Sequence, residues 1–211
     1  MARVLRLCLC LSAALAGSGC GTLNLGTRMT CALRGDRIYR HGLVIREELL
    51  ETNAHNRRYK LPGAMPVVRY VTIHNTANKA PAQNERDYLN KRRDKKYISF
   101  HYAVDETEAI RILPHDQHGW HAGDGRNGKG NRESIGIEIC RSTCTGPRDP
   151  LYRQSEANAV RLTAWLLEEL GLSVADLRTH RDWSRKHCPH RVLAEDRWEQ
   201  FKAAVAKEMG R

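Results

Sequence analysis

The stretch "RTHRDWSRKHCPHR", residues 178–191, sets three histidines, a cysteine, an aspartate and a lysine within fourteen positions. Three readings are open for it: a nucleic-acid patch, a metal site, or a basic loop with no shared task. His180 and Cys188 stand eight residues apart, and a loop of that length can turn back so that both face one ion. A catalytic zinc site takes three protein ligands and keeps a fourth position open. The third ligand then has to come from elsewhere, and His74 is the natural candidate. It ends the β-branched run "VVRYVTIH", 67–74, which reads as a buried strand. A side chain at such a strand end is held rigidly. The paired C-x2-C spacing of structural zinc sites is absent. The H-x7-C spacing is a weak signal alone, and His74 could instead be a hydrogen-bonded core histidine.

The flanking segments alternate between strand and helix patterns. "APAQNERDYLNKRRDK", 80–95, reads as a helix with Pro81 in its first turn and Tyr88 and Leu89 as its apolar contacts. "YISFHYAVDETEAIRILP", 97–114, reads as two strands joined by a turn near Asp105–Glu108. "GWHAGDGRNGKGN", 119–131, is too glycine-rich for a regular element, and it lacks the Gly-Lys-Ser/Thr ending of a phosphate loop. "ESIGIEIC", 133–140, is another strand. "SEANAVRLTAWLLEELG", 155–171, is the clearest helix, with Ser155 as its cap and Gly171 as its stop. "EDRWEQFKAAVAKEM", 195–209, reads as a final amphipathic helix. No internal repeat is visible. The expectation is a single α/β domain, a central mixed β-sheet flanked by helices, with the metal site at the sheet edge.

The N-terminus carries Arg3 and Arg6 before the apolar run "LCLCLSAALAG", 7–17, which is too short for a stable membrane span. The run ends "LAGSGC" at Cys20, which resembles a bacterial lipoprotein box with Cys20 as the lipidated residue; an ordinary cleaved signal is the alternative. The expected division is a lipoprotein-type signal over 1–19, a tether over 20–42 and the folded domain over 43–211. The chain would be exported and lipid-anchored in the cell envelope, on the periplasmic or outer side of a bacterial membrane. The net charge of +11 then meets an anionic envelope rather than nucleic acid, and the basic-aromatic interleaving of single-strand binders is missing. Of seven cysteines, Cys8 and Cys10 leave with the signal. Cys140 and Cys144 could pair across a short loop or remain free thiols.

"VTIHNTAN" (71–78), "SFHYAVDE" (99–106), "GWHAGDGRNGKGNRESIGIEIC" (119–140) and "THRDWSRKHCPHRVL" (179–193) together resemble the zinc-dependent N-acetylmuramoyl-L-alanine amidases. That family shares its domain with amidase-type phage lysozymes and peptidoglycan recognition proteins. The similarity is greatest to endolysin and prophage amidases of spore-forming bacteria, runs over residues 43–205, and keeps the motifs in order. It implies one zinc ion on His74, His180 and Cys188, a general base at Glu138 and a transition-state cation at Lys186. It places His121 in the substrate groove and makes peptidoglycan or its fragments the substrate, for a monomeric enzyme. Two rivals share the sequence: a non-catalytic peptidoglycan-binding module of the same fold, and a metallopeptidase cutting within the stem peptide. The bland alternatives are an outward strand residue for Glu138 and a solvated charge for Lys186. His101, His187 and His190 are left as structural or surface residues, and Trp120 and Trp183 as groove or core packing.

Overall fold

A computed structural model of the protein describes residues 37–210. Cys20, Cys31 and the 1–19 segment lie outside the described residues. The chain opens with a hairpin of β1 (Arg37–Arg40) and β2 (Leu43–Glu47), turned by His41 and Gly42, both at positive φ. Positive φ at both turn residues matches the twist of a two-residue hairpin. Residues 37–42 of the segment expected as a tether thus lie in this hairpin, where the chain pairs into the sheet.

After α1 (Ala54–Tyr59) come β3 (Tyr70–Asn75) and α2 (Ala82–Lys91). β4 (Tyr102–Val104) and β5 (Glu108–Arg111) form the expected hairpin. Asp105 shapes its turn by accepting from Thr107 and Glu108 N–H, while its other oxygen takes the Ala82 N–H at the start of α2. The short α3 (Lys129–Arg132) leads into β6 (Ser134–Ile139). Then follow α4 (Asp149–Leu170), β7 (Leu177–Thr179), α5 (His180–Ser184), α6 (His190–Ala194) and α7 (Trp198–Met209). The sheet order is β1-β2-β5-β4-β6-β3-β7. β4, β6, β3 and β7 run parallel to one another, and the β1–β2 and β4–β5 pairs are antiparallel. The sheet is mixed, as expected.

Alternation along the strands divides the core in two. Val71, Ile73, Ile135, Ile137 and Ile139 pack with Leu162, Leu166 and Trp165 of α4 and Phe201 and Val205 of α7. Ala103, Ile110, Ile112 and Leu89 of α2 form a second cluster. The even-numbered positions of β3 and β6 project away from the α4 layer, and these carry His74 and Glu138.

Several local expectations change. The strand through His74 begins at Tyr70, leaving Val67 exposed. Ser155 does not cap α4, which starts a turn and a half earlier at Asp149 with Pro150 in its first turn. Ser155 is buried and returns its hydroxyl to the Leu151 carbonyl at 2.7 Å, the i−4 bond that serine makes inside a helix. Tyr88 is exposed on α2, while Leu89 is buried and packs with Ala82 in the second cluster. The final helix starts at Trp198 rather than at 195, and a separate short helix, α6, precedes it. Cys140, Cys144 and Cys188 are all free and buried, so the Cys140–Cys144 pairing does not form.

Gly171 ends α4 at φ +65, with the Leu172 N–H returning 2.8 Å to the Leu167 carbonyl. An L side chain in that region costs about 1–2 kcal/mol. Gly171→Ala should lower the thermal unfolding midpoint by about 2–8 °C for a domain of this size, read by circular dichroism.

Candidate active site

Three neighbouring parallel strands deliver the reactive side chains. β6 and β3 pair with His74 directly opposite Glu138, so both side chains stand on the same face. β7 lies on the other side of β3 with Thr179 opposite Ile73, and His180 follows at once as the first residue of α5. Side chains at the carboxyl ends of adjacent parallel strands converge on one crevice. A capping box fixes the entry to α5: Asp182 accepts from the Thr179 N–H at 2.7 Å and from its hydroxyl at 2.9 Å.

The arc from Arg181 to Cys188 is closed at its ends by the Arg181 N–H on the Cys188 carbonyl, 3.2 Å. Arg185, at φ +62, turns the chain within it. Beyond the arc, the Arg191 N–H donates to Asn75 Oδ1 at 3.0 Å, tying the segment after Cys188 to the residue after His74. The Arg191 guanidinium reaches the Cys144 carbonyl and lies 4.0 Å from the Tyr152 ring centre.

His74, His180 and Cys188 are thereby brought together, each buried, with one ligand atom apiece inside 4.8 Å of the others. His74 Nδ1 is 3.0 Å from His180 Nδ1 and 3.8 Å from Cys188 Sγ. Two ring nitrogens at that separation need a proton or a cation between them. Burial lowers the pKa of His74 well below the usual range and that of His180 to about 4, and raises the Cys188 thiol to about 12. Neutral imidazoles are the ligand form, and a cation reverses the thiol's preference for its proton. A His-His-Cys set suits a borderline-soft dication, so these residues could hold a metal ion.

Glu138 borders this cluster. Burial pushes its carboxyl up to about 8, with Glu85 adding to the effect and Lys186 opposing it. Its Oε2 is buried and has no hydrogen-bond partner among the described residues. Glu138, exposed Lys186 and the three potential ligands line or border one groove of about 830 Å³. Trp120 and Tyr97 make its aromatic wall, with ring centres 5.4 Å apart, and Arg57, Arg58, Arg126 and Arg132 give it a basic rim.

His121 reaches the groove but sits at its floor. Both ring nitrogens are taken, Nδ1 by His74 Nε2 at 3.1 Å and Nε2 by the Ser134 carbonyl at 3.2 Å. The ring thus lines the groove and also meets a cluster residue. His101 is buried between the Gly136 N–H and the Gln117 carbonyl, while His187 and His190 stay outside the cluster. Trp183 packs on Tyr70 and donates to Thr72 Oγ1 at 2.9 Å.

The sequence reading missed the side chains that fold the glycine-rich loop. Asn131 Oδ1 accepts from both the His121 and Ala122 N–H groups at 2.8 Å, and its amide donates to the Gly125 carbonyl. Asp124 takes the Gly130 and Asn131 N–H groups. Glycine is required at 123, at φ +71, where a Cβ would stand 2.9 Å from Ser184 Oγ and 3.2 Å from His180 Nε2. The only hint in the sequence was an Asp and an Asn among glycines, residues that bond to nearby backbone.

Comparison with known proteins agrees with this geometry. Residues 63–191 match the N-acetylmuramoyl-L-alanine amidase family model. N-acetylmuramoyl-L-alanine amidase XlyB of Bacillus subtilis (strain 168) is 50% identical over 150 residues, which is 71% of this chain and 45% of XlyB. N-acetylmuramoyl-L-alanine amidase CwlA of the same organism is 45% identical over 150 residues, 71% of this chain and 53% of CwlA. The structure of PlyL superposes with a TM-score of 0.69 at 42% identity, covering 76% of this chain and 96% of PlyL. The catalytic domain of XlyA gives 0.65 at 38%, covering 76% and 98%. The chain belongs to the N-acetylmuramoyl-L-alanine amidase family. It spans about half the length of the curated relatives it matches.

Asn131→Leu leaves two buried amides without acceptors. At about 1–3 kcal/mol each, the variant should lose about 2–6 kcal/mol of stability, measured by urea unfolding.

Proposed function

We propose that the chain hydrolyses the amide bond between N-acetylmuramic acid and L-alanine of the stem peptide, in peptidoglycan or its fragments, with one zinc ion held by His74, His180 and Cys188. The observation that carries this reading is the convergence of two imidazoles, a thiol and a carboxylate with an unpartnered oxygen on one groove. Bound there, zinc would acidify a water molecule and polarise the scissile carbonyl. Glu138 accepts a proton from the attacking water and returns it to the leaving amine. A carboxyl raised toward neutrality by burial suits both transfers, since it takes a proton more readily than an ordinary carboxylate and is still acid enough to pass it on. Lys186 offsets the charge that grows on the carbonyl oxygen. The aromatic wall and basic rim receive the glycan and the acidic stem.

One experiment separates this reading from its rivals. Zinc content by mass spectrometry is set beside digestion of purified sacculi, with product masses, for the wild type and three variants. The wild type should release stem peptides with a free L-alanine amine; a binding module releases nothing, and a peptidase cuts within the stem. Cys188→Ser should lose zinc and turnover together, since a hydroxyl is a poorer ligand than a thiolate. Glu138→Gln and Lys186→Ala should keep zinc and lose about 10²–10⁴-fold and about 10²–10³-fold in kcat, respectively. Glu138 acts as a base only when ionised, so wild-type activity rises as pH climbs through its pKa. Glu138→Gln should lack that acidic limb. Zinc loss in Glu138→Gln would make the glutamate a ligand rather than the base.

The lipid anchor at Cys20 is the second element of the proposal. It is supported by Arg3 and Arg6, the short apolar run and the small residues before the cysteine. Among the described residues no helix is long and apolar enough to cross a membrane. Lipidation would hold the enzyme at the cell envelope. Cys20→Ser should move the full chain from the membrane fraction to the soluble one, and an unchanged distribution rejects the anchor.

A further inference from the structure

His74 has two ring nitrogens, and the cluster uses one. Nδ1 faces His180 and Cys188, while Nε2 points the other way, 3.1 Å from His121 Nδ1. His121 in turn sets its Nε2 3.2 Å from the carbonyl oxygen of Ser134. A backbone carbonyl only accepts hydrogen bonds. The His121 hydrogen therefore sits on Nε2, and in the neutral ring Nδ1 is left bare. A bare Nδ1 requires the hydrogen of His74 to sit on Nε2. The lone pair of His74 Nδ1 then points into the cluster.

We propose that His121 is a positioning residue that fixes the tautomer of His74, so that a carbonyl of β6 decides which nitrogen is offered to a metal ion. This rests on the zinc reading above. The surroundings are built to hold the ring rather than merely to tolerate it. At Gly136 a Cβ would stand 2.8 Å from His121 Cγ, so the sheet leaves out a side chain where the ring lies. Asn131 grips the His121 N–H, and the two rings meet edge to face with planes at 88°. The Ala122–Gly123 backbone lies against the far edge of His180, so the same loop backs both histidines. A ligand histidine whose second nitrogen is fixed by a partner is a better ligand, and loss of that partner typically costs about 10–100-fold in metal affinity.

The test begins with zinc-free full-length protein. Long-range proton–nitrogen correlation on nitrogen-15-labelled histidine should show His74 with its hydrogen on Nε2. His121→Leu removes the acceptor, and His74 should then populate both tautomers. Zinc affinity, by competition with a chromogenic chelator, should fall about 10–100-fold. His121→Asn, which can place Oδ1 where Nδ1 lay, should restore the single tautomer and most of the affinity. A wild-type His74 with its hydrogen on Nδ1 overturns the proposal, as does His121→Leu binding zinc as tightly as wild type. The wild-type spectrum decides the matter alone if His121→Leu does not fold. If the wild type binds no zinc, the function fails while the spectrum still decides the tautomer.

Discussion

The site depends on the pairing of three parallel strands. His74 and Glu138 are directly opposed across one ladder, and His180 follows the end of the ladder on the other side. A slip of one residue in either pairing would turn its side chains to the opposite face. The buried isoleucines prevent that slip. Ile73, Ile135, Ile137 and Ile139 all pack in the α4 layer, and the register that buries them also presents the polar set to the groove. The apolar core and the reactive face are thus two consequences of one alignment.

Electrostatics then gives that alignment its chemistry. The pocket desolvates two imidazoles, a thiol and a carboxyl. Each is pushed toward its neutral form, the lower-energy state of a buried group. Such a cluster is poised to take up one dication, which would restore the thiolate and the carboxylate together. Lys186 is the exposed positive charge beside it, reaching the groove from the closed arc.

Most of the architecture was legible because its signals are local. The β-branched runs, Gly171 and the amphipathic last helix each state their element in a few residues. Errors came where a neighbour overrides a local preference. Ser155 resembled a cap because serine favours caps, yet Pro150 and Asp149 start α4 earlier. The hairpin at Arg37–Glu47 has little apolar periodicity of its own and is recruited by pairing with β5. The candidate ligand residues, which the fold brings together, could be named by motif order. The part played by His121 could not, because it depends on which ring nitrogen meets which atom, and no spacing encodes that.

The closed arc between Arg181 and Cys188 bears on how this segment can change. Its two ends are held by a backbone hydrogen bond, with the capping box before it and Arg191 after it. Closing a somewhat longer loop costs little, about 0.6 kcal/mol for each doubling of its length. The distance between His180 and Cys188 in space is therefore set by the anchored ends, not by the number of residues between them. Insertions at the exposed crown before Lys186 would leave His180 and Cys188 where they are, and Lys186, whose carbonyl accepts from the Cys188 N–H at 2.7 Å, would stay with them. The arc thus lets its crown vary in length while the candidate ligands and the candidate cation keep their places together.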